Sequence, residues 1–377
     1  MENKLNIKKI EQKVQELGLN QTALAQKMQV SKEAVSKWLR NEKYPRPDKL
    51  LKLARLLNLS FSEMVCKKPA PNEPVIAFRK KGAHKITPDY IDQAKDMGMM
   101  LKELVPYLPF DDLSQPAILK TPSLDYDYIR KVADRVRKTI GVREGEEIRF
   151  DHLIRFFNEL QAVIIPVLWG NKENHENALH IYLPESMTTW IYLNLDCKVH
   201  DFKFWMAHEL GHVHAPTLQG EAGEDFADAF AGALLVPHEM AASAYEALQN
   251  YDNVWSQINH IKLLAEKLVV SPLTVYYQIN KYADYSGKPK IDLESSKAIY
   301  QATTNFNKQF QQVSEGLFGT KSPSPSRYIA SAKEQFGSPF FDILGKYLTK
   351  HHKSPSFIQS ILNIPLLDAQ NVYKELC

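Results

Sequence analysis

Between residues 5 and 65 apolar positions recur three and four apart with short polar interruptions, and nothing there alternates with the two-residue period of a strand. The spacing predicts helices at about 5–17, 21–28, 32–40, 47–57 and 60–65. Asn20 precedes the second, Ser31 opens the third, Ser60 with Glu63 three residues later reads as a capping box, and Gly18 closes the first. Three prolines within KKPAPNEP, residues 67–74, cannot continue a helix and mark a boundary. Beyond it, helices are expected at about 88–105, 125–140 and 150–161. The pattern then turns strand-like in AVIIPVLW (162–169), LHIYLP (179–184) and TTWIYLNL (188–195), with the polar loop GNKENHEN after the first. Helices resume at about 202–213, 222–235, 238–249, 260–267 and 272–282, and the last ninety residues read as mainly helical around a serine-proline stretch near 322–326. There is no internal repeat. The expected fold is multidomain and mainly α: an all-α domain at 1–68, an α+β domain with a small sheet at 75–283, and a helical region of unassigned role at 284–377.

Charge sharpens this division. The 377 residues carry a formal +3, but residues 1–68 hold 15 Lys and Arg against 7 Asp and Glu, or +8, which leaves −5 for the remainder. A basic first domain on a mildly acidic remainder is expected where only one part meets an anionic polymer. No apolar run reaches the roughly 18 residues of a membrane helix, and the charged start MENKLNIKKIEQKVQELG lacks the apolar core of a secretory signal. A cytoplasmic location is therefore expected. Cys66, Cys197 and Cys377 are too few and too scattered for a disulfide framework or a four-thiolate metal site.

Within the basic domain, Ala23, Leu24 and Met28 are expected to face inward on a short helix, followed by a tight turn at Gln29-Val30. The outer face of the next helix carries Ser31, Lys32, Glu33, Ser36, Lys37 and Arg40. Such a helix can enter the major groove with its first residues at base edges and Lys37 and Arg40 nearer phosphate. Residues 5–65 resemble the helix-turn-helix of the phage-repressor-like (Xre/Cro) family, and that resemblance implies a backbone contact for Gln21. The competing reading is a helical adaptor that docks onto protein.

The strongest chemical signal is HELGH, residues 208–212. Four residues apart on a helix, His208 and His212 share a face and can reach one cation, while Glu209 is placed to take a proton from water rather than to ligate. Gly211 permits close approach of a neighbouring element, and the apolar FKFWMA upstream would bury the helix. On the next helix, in GEDFADAFAGALLVP, Glu224 and Asp228 share a face. Glu224 is the preferred third ligand, and Asp228 would accept from the far nitrogen of a ligating histidine. Glu221 is the rival ligand but lacks a carboxylate four residues later.

These segments resemble the ImmA/IrrE metallopeptidases: HELGH, then Glu224, Ala227, Asp228, Phe230, Ala231, Leu234, Leu235 and Pro237 in the order of that family's second signature, with Asp228 where asparagine is frequent. VIAFRKK (75–81), IRKVADRVRKTIGV and LAEKLVVSPLTVYYQI fit as well, so the resemblance spans about residues 75–283. It implies a zincin-like, zinc-dependent endopeptidase acting on a protein substrate, typically a transcriptional repressor of phage, mobile-element, stress or defence genes. Zn2+ on His208, His212 and Glu224 would keep a fourth position for water and lower its pKa toward about 7, with Glu209 as base. If strand 188–195 lies at a sheet edge beside the cleft, it could pair with an extended substrate segment. A DNA-bound homodimer fits this reading. The rival reading is a transcription factor or antitoxin-like regulator whose peptidase fold senses a ligand or partner without hydrolysis. His214 faces away from the shared histidine face; His175, His180 and His200 are expected to be solvated; His351-His352 reads as an exposed basic turn; Tyr276, Tyr277 and Tyr282 read as core or cleft wall.

Overall fold

The computed structural model describes residues 4–40, 42–59, 64–66, 73–77, 88–110, 118–143, 145–170, 178–216, 218, 220–320 and 322–377. The chain divides into two units, residues 1–72 and 73–377. The Ser60/Glu63 capping box, most of the 60–65 helix, residues 67–72 of the linker, FRKK and His175 lie outside the described residues.

The first unit holds helices α1 (Ile7–Glu16), α2 (Gln21–Met28), α3 (Lys32–Leu39) and α4 (Pro47–Leu57). Their starts follow local chemistry: the Asn20 side chain accepts from Ala23 N at 2.9 Å and the Ser31 hydroxyl from Ala34 N at 3.1 Å. Between them Gln29 takes a left-handed φ of 54°, which makes the turn of the motif tight. Ile10, Leu24, Ala25, Met28, Val35, Trp38, Leu50, Leu53 and Leu57 are among the residues that form the core. Ala25 is buried where Ala23 was expected, because the helix turns its 24-25-28 stripe inward. Two strands escaped the helical pattern: β1 (Lys4–Leu5) pairs antiparallel with β2 (Val65–Cys66), tying the two ends of the unit together. Two-residue strands are too short to show a period.

In the second unit the strands β3 (Val75–Ala77), β4 (Val163–Val167), β5 (Ala178–Leu183) and β6 (Thr188–Asn194) form one sheet in the order β3-β5-β6-β4. β5 runs antiparallel to both β3 and β6, and β4 parallel to β6. β6 is therefore interior, so strand 188–195 does not meet the edge condition for pairing with a substrate. Every residue of β4 and β6 is buried, so no alternation could show which side each faces.

Helices α5 (Pro88–Leu104), α6 (Tyr126–Thr139) and α7 (Phe150–Glu159) precede β4 and β5. After β6 come α8 (Val199–His214), α9 (Glu221–Leu235), α10 (His238–Gln249), α11 (Val254–Leu268) and α12 (Pro272–Tyr285). Residues 298–376 add six helices, α13 (Ala298–Asn307), α14 (Val313–Phe318), α15 (Pro325–Glu334), α16 (Phe340–His351), α17 (Pro355–Leu362) and α18 (Leu366–Leu376). These share the core of residues 73–283. They also close the β4 edge of the sheet. The Tyr328 hydroxyl donates to Pro166 O at 2.6 Å and the Ser338 hydroxyl to Ile164 O, on the side of β4 away from β6. Side-chain donors of this kind keep an edge strand from pairing with another chain, and Pro166 itself is tolerated because β4 is an edge.

Candidate metal centre

Helix α8 is buried on every side from Trp205 to His214, which is why its apolar content shows no one-sided stripe. His208, Glu209 and His212 thus sit in the interior, between 1% and 4% exposed. Such groups persist in a core only where partners or a ligand satisfy them.

Helix α9 supplies the partner. A Cβ built on Gly211 would lie 2.8 Å from the Cα of Ala227 and 3.1 Å from its Cβ, so only glycine lets the two helices approach this closely. That approach brings Glu224 beside the histidines. Glu224 Oε2 lies 3.4 Å from His208 Nε2, Oε1 lies 3.4 Å from His212 Nε2, and the two Nε2 atoms are 3.1 Å apart. One donor atom from each of the three residues falls within 4.8 Å of the others. Two imidazoles and a carboxylate converging in a buried pocket match the donor set and the convergence that zinc requires. His208 Nδ1 donates to Asp228 Oδ1 at 2.8 Å, which turns Nε2 toward the cluster. The Trp205 ring packs edge-on 5.1 Å from the same imidazole.

The electrostatics reflect the crowding of these groups. Burial opposes charge on His208, but its hydrogen bonds to Asp228 and Glu224 outweigh that and raise it to about 9. Burial lowers His212, only partly opposed by Glu224. Burial pushes Glu224 up, but its bonds to both histidines hold the carboxyl below the usual value. Burial drives Glu209 up to about 8, and its Oε2 has no hydrogen-bond partner among the described residues.

Glu221 is exposed at the start of α9, outside the cluster. His214 is buried against Phe156 and Phe230. His180 and His200 are each 2% exposed, so the solvated reading of both is wrong. His180 stands on β5 with its ring 5.7 Å from that of His212. The polar loop beside it hid this in the sequence, although its place two residues before Tyr182 on the same strand face was a usable signal. His351 and His352 are exposed, and the Tyr276 hydroxyl donates to Ile291 O at 2.8 Å within the core.

In the first unit, Gln21, Ser31, Lys32, Glu33 and Arg40 are exposed and Ser36 and Lys37 half-buried. Lys37 pairs with Glu33 at 2.7 Å, and Arg40 with Glu42 at 3.3 Å.

A buried helix bearing His-Glu-x-x-His, a carboxylate from the next helix and a small sheet beside them define a metallopeptidase-like domain, here in one chain with a helix-turn-helix unit. Family models agree: residues 10–64 match the helix-turn-helix family, and residues 161–280 match the IrrE N-terminal-like domain. The chain thus fuses an Xre/Cro-like segment to an IrrE/ImmA-like peptidase segment. No curated protein and no solved structure matches it. Among the described residues, no helix is long and apolar enough to cross a membrane.

Proposed function

We propose that this chain is a DNA-binding regulator carrying a zinc-dependent endopeptidase that cuts a regulatory protein of the repressor class. One observation carries the catalytic half: three donor atoms from His208, His212 and Glu224 converge beside a buried Glu209 carboxyl whose Oε2 is unpartnered. His208, His212 and Glu224 would hold zinc, which would supply a Lewis acid for the scissile carbonyl and for water. Asp228 fixes the His208 tautomer so that Nε2 offers its lone pair. Glu209 takes the proton from the attacking water and passes it to the leaving amine. Its burial raises its proton affinity, and a cation nearby favours the carboxylate form that can act as base.

The exposed face of α3 reads base edges with Ser31, Lys32, Glu33 and Ser36, while Gln21, Lys37 and Arg40 meet the backbone. The test measures bound zinc and cleavage of a co-encoded repressor in wild type and Glu209→Gln. Zinc retained with cleavage lost is the expected outcome. Cleavage unchanged in the variant removes Glu209 as base, and a wild type that neither binds zinc nor cleaves leaves a sensor without hydrolysis.

A further inference from the structure

His208, Glu209, His212 and Glu224 are each at most 7% exposed. In front of His212 and Glu224, the cleft bounded by β3, His180, Tyr182, Pro216, Leu218 and Gly223 holds about 10 Å³, roughly the room of one water molecule. Among the described residues that space does not admit a peptide, so a wall that can move would open it to one.

The wall at 216–223 joins α8 to α9. Leu218 N donates to Ala215 O at 3.0 Å, and a Cβ on Gly223 would lie 2.7 Å from the Leu218 carbonyl oxygen. That turn is packed into the frame that sets the spacing of the three ligands, and shifting it would pull them apart.

The wall at β3 is short and lies outside that frame. It is three residues long, each half-buried, and pairs only with β5, in the register Val75↔Tyr182, Ile76↔Ile181 and Ala77↔His180. Beyond that pairing it is anchored by Ile76 packed against the core, by Pro74 lying over Gly98 and by an exposed Glu73–Lys95 ion pair at 3.5 Å. The opposite edge of the sheet is sealed by the side-chain donors Tyr328 and Ser338 of the C-terminal region. On β5, His180 lines the cleft with Nε2 unpartnered among the described residues.

We infer that the outer edge of β5, from Tyr182 to His180, is the docking edge for an extended substrate peptide, and that Val75–Ala77 occupies it in the resting protein. The incoming segment replaces β3, takes over its antiparallel main-chain hydrogen bonds, and passes beside His180 into the centre. The inference rests on the metallopeptidase reading above.

The experiment uses the full chain with Cys377→Ser, Val75→Cys and Tyr182→Cys. These last two positions face each other across the ladder, so an oxidised pair locks β3 in place. The protein is loaded with cobalt, its visible spectrum is recorded, and a tripeptide hydroxamate is then titrated. The reduced form is expected to bind the hydroxamate at least tenfold more tightly than the oxidised form. Ile76→Pro, which disfavours strand pairing, is expected to bind it at least as tightly as wild type. Equal affinity in oxidised and reduced forms, or no hydroxamate binding in a cobalt-loaded chain, overturns the inference alone. A chain that takes up no cobalt overturns the metal reading and the inference together, and the spectrum before titration tells the two failures apart.

Discussion

Gly211→Ala tests the claim that helix proximity creates the centre. The added methyl would sit 2.8 Å from the Cα of Ala227, where carbon atoms settle at about 3.5 Å or more. The helices must therefore part locally by roughly 0.7 Å, and no side-chain rotation relieves the clash, because the obstructing atom is backbone. Overpacking of this kind costs about 1–3 kcal/mol, while the gain in helix preference of alanine over glycine returns about 1 kcal/mol. The expected net loss of stability is small, about 0–2 kcal/mol. The effect on metal is larger, since metal–ligand distances tolerate only about 0.2 Å while His208 and His212 lie on one helix and Glu224 on the other. Zinc affinity should fall at least tenfold. Competition with a fluorescent chelator measures this directly. Melting gives a second reading: zinc at 100 times the wild-type Kd adds about 2.7 kcal/mol to wild type, and about 1.4 kcal/mol if Kd rises tenfold. Gly316→Ala is the control, because the atom its Cβ would meet at 3.0 Å is the end of the flexible Gln311 side chain. Unchanged zinc affinity in Gly211→Ala would refute the reasoning.

Three further outcomes are expected. Asp228→Ala frees His208 Nδ1 and should weaken zinc binding about 10–100-fold, measured by the same competition; an unaltered affinity would deny the carboxylate its orienting part. Metal-free protein should become less stable as pH rises from about 4.5 to 8 on account of Glu209. Its acid is raised to about 8 in the fold, so the native state binds more protons than the unfolded chain across that window, and stability falls with rising pH. Glu209→Gln should therefore raise the melting temperature of chelator-treated protein at pH 8 more than at pH 5, and a variant that melts lower at pH 8 would contradict this. Arg40→Ala should weaken binding to all DNA sequences alike and reduce the salt slope by about one, read from promoter-fragment shifts at several salt concentrations; a sequence-selective loss would place Arg40 at a base edge.

How much was legible follows from the range of the forces involved. The helices of the first unit, and the caps at Asn20 and Ser31, depend on contacts within four residues, and helical spacing exposes them directly. The same holds for His208, Glu209 and His212, which one helical turn places together, and for Glu224 and Asp228, which α9 sets on one face. Short strands such as β1 and β3 left no trace, because two or three residues cannot display a period.

The amino-acid order by itself determined the helical first unit, the mixed second one, and which side chains share a helix face. Whether those faces meet belonged to the tertiary structure: Gly211 against Ala227 sets the ligand spacing, the sheet order puts β6 inside and β3 over the cleft, and helices beyond residue 298 seal the far edge. Each of these pairs residues far apart in the chain, and local spacing carries no information about which distant surfaces will pack together.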